Sequence, residues 1–250
     1  MENNIVYDCR WSDAVDEKFI TDFNFVQDNV FAGEHTEAQF LHQYINNPYG
    51  QSVIAVVYID GKPSAARALW RNDIYGKAAY QPGRTAVLAV CRGKGIFTEM
   101  TKRSIAMLPK EAIIYNFPNN NSYPGYIKMG WTLLHDYSLR ILCSYKAFHK
   151  EHPIKIDNEY ARWWIKGRDL FYTKRGGHYF IMHKFNKPLC YRILGEVDKE
   201  VAQWFPHVTC GLFFYKSKKI TWYNKRLGKS HVVTRNPEIG YIPTWKIDAV

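Results

Sequence analysis

Hydrophobic positions in the first 150 residues alternate between a helical and an extended period. Between residues 13 and 31, Val15, Phe19, Ile20, Phe23, Val26, Val30 and Phe31 recur close to a helical spacing, which predicts a helix. Residues 39–44 predict a second, short helix, ended by the breaker Asn46-Asn47-Pro48-Tyr49-Gly50. The β-branched run 52–59 (SVIAVVYI) predicts a strand that stops at Asp60-Gly61, a pair suited to a two-residue hairpin. Extended segments are expected over 64–71 and 77–91. From Ile96 the spacing turns helical (Ile96, Phe97, Met100, Ser104, Leu108) until Pro109. A short strand at 112–117, a short helix at 119–129 and a strand at 131–145 follow; Pro124 and Gly125 weaken that helix in isolation.

The second half changes character and is rich in aromatic and basic residues. Strands are expected at 170–174, 178–185, 189–194, 211–216 and 220–223, with Asp198–Phe205 as its only helical segment. Residues 149–153 (HKEHP) read as a linker, which divides the chain into domains 1–148 and 154–250. No repeat or low-complexity tract is apparent in the sequence.

Composition narrows the class. With 46% hydrophobic and 23% charged residues the chain reads as an ordinary soluble protein. The N-terminal segment lacks a basic region followed by an apolar run, and no stretch approaches the roughly 18 apolar residues of a membrane span. Five scattered cysteines without CxxC spacing argue against a zinc site or a disulfide framework, so a reduced, cytoplasmic chain without metal is expected. The net charge of +11 is uneven: residues 151–250 hold 18 Lys+Arg against 9 Asp+Glu. A basic half suits an anionic partner, or is merely a solvated face.

One segment carries chemistry. In residues 85–100 (TAVLAVCRGKGIFTEM) a strand leads into Arg92-Gly93-Lys94-Gly95 and then a helix. Glycines let the backbone turn tightly and leave room beside it, and the helix start offers free N–H groups and a favourable dipole to an anion such as a pyrophosphate. There is no GxxxxGK[ST], and a GxGxxG fingerprint is incomplete after Gly95, so neither a P-loop nor a dinucleotide fold is indicated.

Arg92-Gly93-Lys94-Gly95-Ile96-Phe97 resembles motif A of the GNAT superfamily of N-acetyltransferases, Q/R-x-x-G-x-G/A, with Val87 five residues upstream and Phe97 where a small residue is usual. Residues 119–131 (NNNSYPGYIKMGW) resemble a second GNAT pattern, with Asn119, Ser122, Tyr126, Lys128, Gly130 and Trp131 in register. More narrowly, 43–50, 93–97 and 116–123 are similar to GNAT-related proteins of bacterial surface-polysaccharide biosynthesis. The resemblance covers about residues 13–145 and implies an α/β fold: a mixed, largely antiparallel sheet flanked by helices. A strand-rich α+β domain would follow, with room for a partial GNAT-like repeat.

The resemblance also implies roles. The backbone of Thr85, Ala86 and Val87 would pair with the pantetheine arm of acetyl-CoA, as a peptide adds to a sheet edge. The amides of Gly93, Lys94, Gly95, Ile96, Phe97 and Thr98 would hold the pyrophosphate, aided by the charges of Arg92 and Lys94. Asn119 would bond the pantetheine. Tyr126 matches the tyrosine that protonates the departing thiolate, a task suited to a phenol. Its alternative is a core aromatic on a short helix. Glu34 and His35, in the loop between the first two helices, are candidates for the base, and His135 is another.

The expected reaction moves acetyl from acetyl-CoA to a primary amine, preferably an amino sugar, nucleotide- or lipid-linked. A peptide or protein amine, or aminoacyl transfer, is the rival within the fold, as is CoA binding without turnover. A nucleic-acid module built on residues 216–226 (KSKKITWYNKR) is the reading from another class. Amphipathic strands explain the same pattern better, so no nucleic-acid partner is expected. Peripheral contact of the basic half with an anionic membrane is compatible with its charge, and the oligomeric state stays open.

Overall fold

In the computed structural model, which describes residues 4–31, 33–218 and 230–243, a strand precedes the first helix. This strand, β1 (Ile5–Trp11), is half-exposed, and its Asp8 and Arg10 pair with one another at 2.7 Å. The charges interrupt the apolar run and hide the strand from a pattern search. The chain forms two compact units. The first comprises Met1–Asn116, Pro124–Thr132 and Thr234–Asn236; the second comprises Phe117–Tyr123, Leu133–Val233 and Pro237–Val250.

The first unit contains α1 (Glu17–Val30), α2 (Glu37–Phe40), β2 (Val53–Ile59), β3 (Lys62–Arg71), β4 (Ala79–Val87), α3 (Ile96–Ala106) and β5 (Ile113–Asn116). Asp16 starts α1 by accepting the amide of Phe19 at 2.8 Å, as an N-cap does. Thr36 and Gln39 form a capping box on α2, which runs on as a π-helical turn over Leu41–Ile45. The strand order is β1-β2-β3-β4-β5, antiparallel except for the parallel β4–β5 pair. Val53 to Val57 of β2 are wholly buried, so both faces of the sheet are covered. Alternate strand residues point to opposite faces. Ala55, Val57 and Ala65 meet Ile96 and Met100 of α3, while α1 also packs against the sheet at β3. The predicted 77–91 extension ends early: β4 stops at Val87 and a 3-10 turn occupies Ala89–Cys91.

The second unit holds β6 (Thr132–Ile141), α5 (Tyr145–Glu151), α6 (Asn158–Tyr160), β7 (Phe171–Arg175), β8 (His178–Lys184), β9 (Cys190–Val197), α7 (Lys199–Ala202), β10 (Leu212–Ser217) and β11 (Ser230–Thr234). Its strand order is β11-β6-β10-β9-β8-β7, with β9 and β10 parallel. Two helices escaped the sequence reading, α5 and α6, because each is short and capped by a single polar residue, Ser144 and Asp157. Of residues 149–153, read as a linker, 149–151 close α5. The expected strand at 220–223 lies outside the described residues.

The two units share an order of elements. In the first, a helix ending in a π-turn precedes the antiparallel β2-β3-β4, and α3 carries the chain to the parallel β5. In the second, α6 runs into a π-turn (Ala161–Ile165), antiparallel β7-β8-β9 follow, and α7 leads to the parallel β10. The two units differ where chemistry is expected. Val197 passes directly through Asp198 into the four-residue α7, without a glycine turn.

Candidate functional site

The site in the first unit begins where β4 parts from β5. Only Ala79 and Tyr80 of β4 pair with β5, at Ile113 and Ile114, whereas β4 stays paired to β3 as far as Val87. Among the described residues, β4 therefore has no strand partner on its β5 side from Gln81 onward. A bulge accompanies the parting: Arg84 and Thr85 together oppose Arg67 of β3, and Arg84 takes φ 48°. The buried Gln27 of α1 secures this bend by donating to the Arg84 carbonyl at 2.7 Å.

Next comes the glycine turn. Gly93 and Gly95 have φ +78° and +74°, and a Cβ added at either would meet nothing within 4 Å. Gly95 caps α3, with Thr98 and Glu99 donating back to its carbonyl at 3.0 and 3.1 Å. Among the described residues, no protein acceptor takes the amides of residues 93–97. This leaves an open concavity of donors at the positive end of an eleven-residue helix. Lys94 is exposed beside it. Arg92 is exposed too, but its Nε donates to the Val87 carbonyl at 3.1 Å, occupying an acceptor that the sequence reading gave to pantetheine.

Tyr126 lies on α4 (Tyr123–Lys128) and is 1% exposed. Its register with Gly130 and Trp131 has a structural cause. The Trp131 amide donates to the Tyr126 carbonyl at 3.1 Å and the Gly130 amide to that of Ile127 at 3.0 Å. Gly130 has φ +81°, and the Tyr126 and Trp131 rings meet at 4.7 Å. Together these form a Schellman cap with its apolar contact. The spacing that marks Tyr126 in the sequence thus follows from ending a helix. What distinguishes Tyr126 chemically is its hydroxyl.

That hydroxyl accepts from Nη2 of Arg67 at 2.8 Å. Arg67 is wholly buried in mid-strand and donates further to Thr85 Oγ1 through Nε (3.2 Å) and Nη2 (3.0 Å), and to Thr101 Oγ1 through Nη1. Its guanidinium also lies 5.2 Å from the Phe97 ring, which meets Tyr126 edge-on at 5.5 Å. No carboxylate pairs with Arg67 among the described residues. Burial pushes the Tyr126 hydroxyl above its ordinary pKa, opposed by the Arg67 charge and by hydrogen bonds from Arg67, Asn116 and Thr85. Phe97, the departure from the GNAT pattern, fills this cluster. Gly125 makes room for it, since a Cβ there would lie 2.9 Å from Phe97 Cε1.

The other sequence candidates fall out differently. His35 Nδ1 lies 2.7 Å from Asp28 Oδ1, and Arg84 Nη1 lies 2.8 Å from His35 Nε2. Arginine only donates, so Nε2 is the accepting nitrogen, and the lone pair that a base needs is already engaged. Glu34 is exposed in the same loop. Asn119 belongs to the second unit, where its Oδ1 accepts from the amides of Asn121 (3.1 Å) and Ser122 (2.9 Å) ahead of α4. His135 also lies in the second unit, with Nε2 2.9 Å from the Gly240 carbonyl. Arg67, Thr101 and Asn116 went unnoticed in the sequence. Arg67 left one trace, as the lone charge in the otherwise apolar 65–70 run AARALW.

The arrangement of the chain is similar to that of several solved structures. A GCN5-related N-acetyltransferase from Anabaena variabilis matches 92% of this chain and 73% of its own, at 12% identity and TM-score 0.56. One from Kribbella flavida matches 91% and 71%, at 12% identity and TM-score 0.51. A conserved Enterococcus faecalis protein of unknown function matches 92% and 72%, at 13% identity and TM-score 0.54. No family model and no curated protein matches the sequence. The fold is of the GNAT type: a mixed, mostly antiparallel sheet flanked by helices. No described helix is long and apolar enough to cross a membrane.

Proposed function

We propose that the chain is an acetyl-CoA-dependent N-acetyltransferase acting on a primary amine. The observation that carries this reading is the opening of β4 away from β5 beside the two-glycine turn of α3, where a Cβ at either glycine would meet nothing within 4 Å. An extended pantetheine arm suits the strand edge that β5 leaves, and a pyrophosphate suits the amides of residues 93–97, the Thr98 amide being engaged by the Gly95 carbonyl. Arg92 and Lys94 add positive charge there. The preferred acceptor is an amino sugar of surface-polysaccharide biosynthesis, nucleotide- or lipid-linked; this rests on the likeness of segments 43–50, 93–97 and 116–123.

The amine nitrogen attacks the thioester carbonyl and gives up one proton to the base, an amide bond forms and the carbon–sulfur bond breaks; the proton released to the base restores, through solvent, the one that Tyr126 gives. Tyr126 would then give its phenolic proton to the departing sulfur. Arg67 has no acceptor atoms, so in that pair the Tyr126 oxygen accepts and the phenolic hydrogen points elsewhere; Asn116 and Thr85 bond the same hydroxyl, and the departing sulfur would take their place as its acceptor. A buried charge lacking an ionic partner is costly. The negative charge that develops on the thiolate is the countercharge Arg67 lacks, so the Arg67–Tyr126 pair stabilises the product side of bond breaking. Of the two loop candidates for the base, Glu34 retains an exposed carboxylate.

Calorimetry with acetyl-CoA tests the binding step. The Gly95→Glu variant should remain folded and lose binding, because it sets bulk and negative charge in the amide concavity. Retained affinity in that variant would reduce the turn to a structural element. A panel of amino sugars and peptides read by thiol release then separates the acceptor classes.

A further inference from the structure

In the second unit, away from every residue assigned above, two imidazoles and a buried carboxylate converge. Glu196 of β9 is 4% exposed at its side chain. His178 at the start of β8 places Nδ1 3.0 Å from Glu196 Oε1, and His149 of α5 places Nε2 3.1 Å from Oε2. The donor atoms all lie within 4.8 Å of one another. We propose that His149, His178 and Glu196 form a binding site for a divalent transition ion of the zinc class, tying α5 to the β8–β9 pair.

The fold brings these residues together from distant positions. Glu196 pairs in register with Phe180 of β8, and side chains two apart on a strand share a face, so His178 and Phe180 point the same way. Phe148, the neighbour of His149, packs edge-on against that Phe180 at 5.3 Å and fixes α5 over the strands. No spacing motif announces the set, which is why the sequence suggested no metal.

Zinc bonds to imidazole nitrogen and carboxylate oxygen are about 2.0–2.2 Å long, which sets neighbouring donors roughly 3–4 Å apart. The two histidine–carboxylate separations already lie at the short end of that range. Each carboxylate oxygen faces a different imidazole, the arrangement of a chelating carboxylate between two nitrogen ligands. Two nitrogens and a carboxylate suit zinc, cobalt or iron, whereas calcium and magnesium prefer oxygen.

Lys155 is the competitor. Its Nζ lies 3.3 Å from Glu196 Oε1 and 3.2 Å from Asp198 Oδ1, on a half-exposed side chain. An arriving cation would displace it onto Asp198. An ion-pair cluster without metal is therefore the alternative, and the two make opposite predictions for Lys155.

The full-length chain, stripped with chelator and titrated with Co2+ and then Zn2+, distinguishes them. We expect one Co2+ per chain with a visible d–d spectrum, displacement by Zn2+, and a raised melting midpoint with either ion. His178→Asn, altering a partly exposed side chain, should abolish the spectrum and the shift without unfolding the chain. Lys155→Ala should tighten metal binding at least several-fold, whereas in a metal-free cluster it would only lower stability. No Co2+ spectrum in the stripped protein, or an unchanged one in His178→Asn, would overturn the site. Acetyl-CoA binding does not enter the measurement.

Discussion

Replacing Arg67 by Met removes the buried guanidinium while keeping most of its length, and so isolates its charge. Arg67 Nη2 is 2.8 Å from the Tyr126 oxygen. With a further hydrogen bond to sulfur, the guanidinium sits about 6 Å from a bound thiolate. At an effective dielectric of about 20 that separation gives roughly 2.8 kcal/mol, or about two pKa units on the thiol. The bound CoA thiol should therefore ionise near pH ~6.5, against ~8.5 in solution. The assay needs no acceptor: the affinities of CoA and desulfo-CoA are compared by calorimetry from pH 6 to 9. In the parent chain the preference for CoA should rise about tenfold per pH unit between the two values, about 100-fold in all. In Arg67→Met the rise should largely vanish while desulfo-CoA still binds, and Arg67→Lys should retain part of it. Equal pH profiles in parent and Met variant, both binding desulfo-CoA, would refute the electrostatic argument. Failure of either ligand to bind the parent chain would instead remove the acetyl-CoA reading itself.

Three further outcomes follow from the same geometry. Tyr126→Phe should leave acetyl-CoA affinity nearly unchanged and lower turnover roughly 100-fold; normal turnover with stability reduced by about 1–3 kcal/mol would make the hydroxyl a partner of Arg67 and nothing more. Gly125→Ala should destabilise by about 1–3 kcal/mol despite alanine's better helix propensity, because its Cβ meets a wedged Phe97 ring; adding Phe97→Ala should reverse the sign of the Gly125→Ala effect in urea unfolding. Burial lowers the His152 imidazole from 6.5 to about 4, so between those values the unfolded chain takes up a proton that the folded chain refuses. Stability should be full above about pH 6.5 and fall by up to about 3 kcal/mol as the pH drops toward 4, and His152→Gln should lose that component of the unfolding profile.

The sequence alone determined the elements whose signals are local. The α1 stripe, the β2 run with its hairpin at Asp60-Gly61, and the strand, glycine turn and α3 were legible because periodicity and turn chemistry act over a few residues. The order of elements that the two units share was open only through the family resemblance and was not legible in any residue pattern. It rests on the pairing of strands, and backbone pairing tolerates almost any side chains of suitable polarity. Short capped helices such as α5 escaped for a related reason, since their stability comes from packing: Phe148 is buried between Phe180 and Tyr215. The candidate site divides in the same way. Gly93 and Gly95 could be read because a positive φ leaves glycine as the natural choice. Arg67 could not be assigned to Tyr126 from the sequence, because a separation of 59 positions carries no periodic relation. Only the tertiary structure decided that contact, by bulging β4 at Arg84 and seating Phe97 against Gly125. It also reassigned the Tyr126–Gly130–Trp131 spacing to a helix cap, because backbone groups at a helix end must be paired whatever the side chain beside them does.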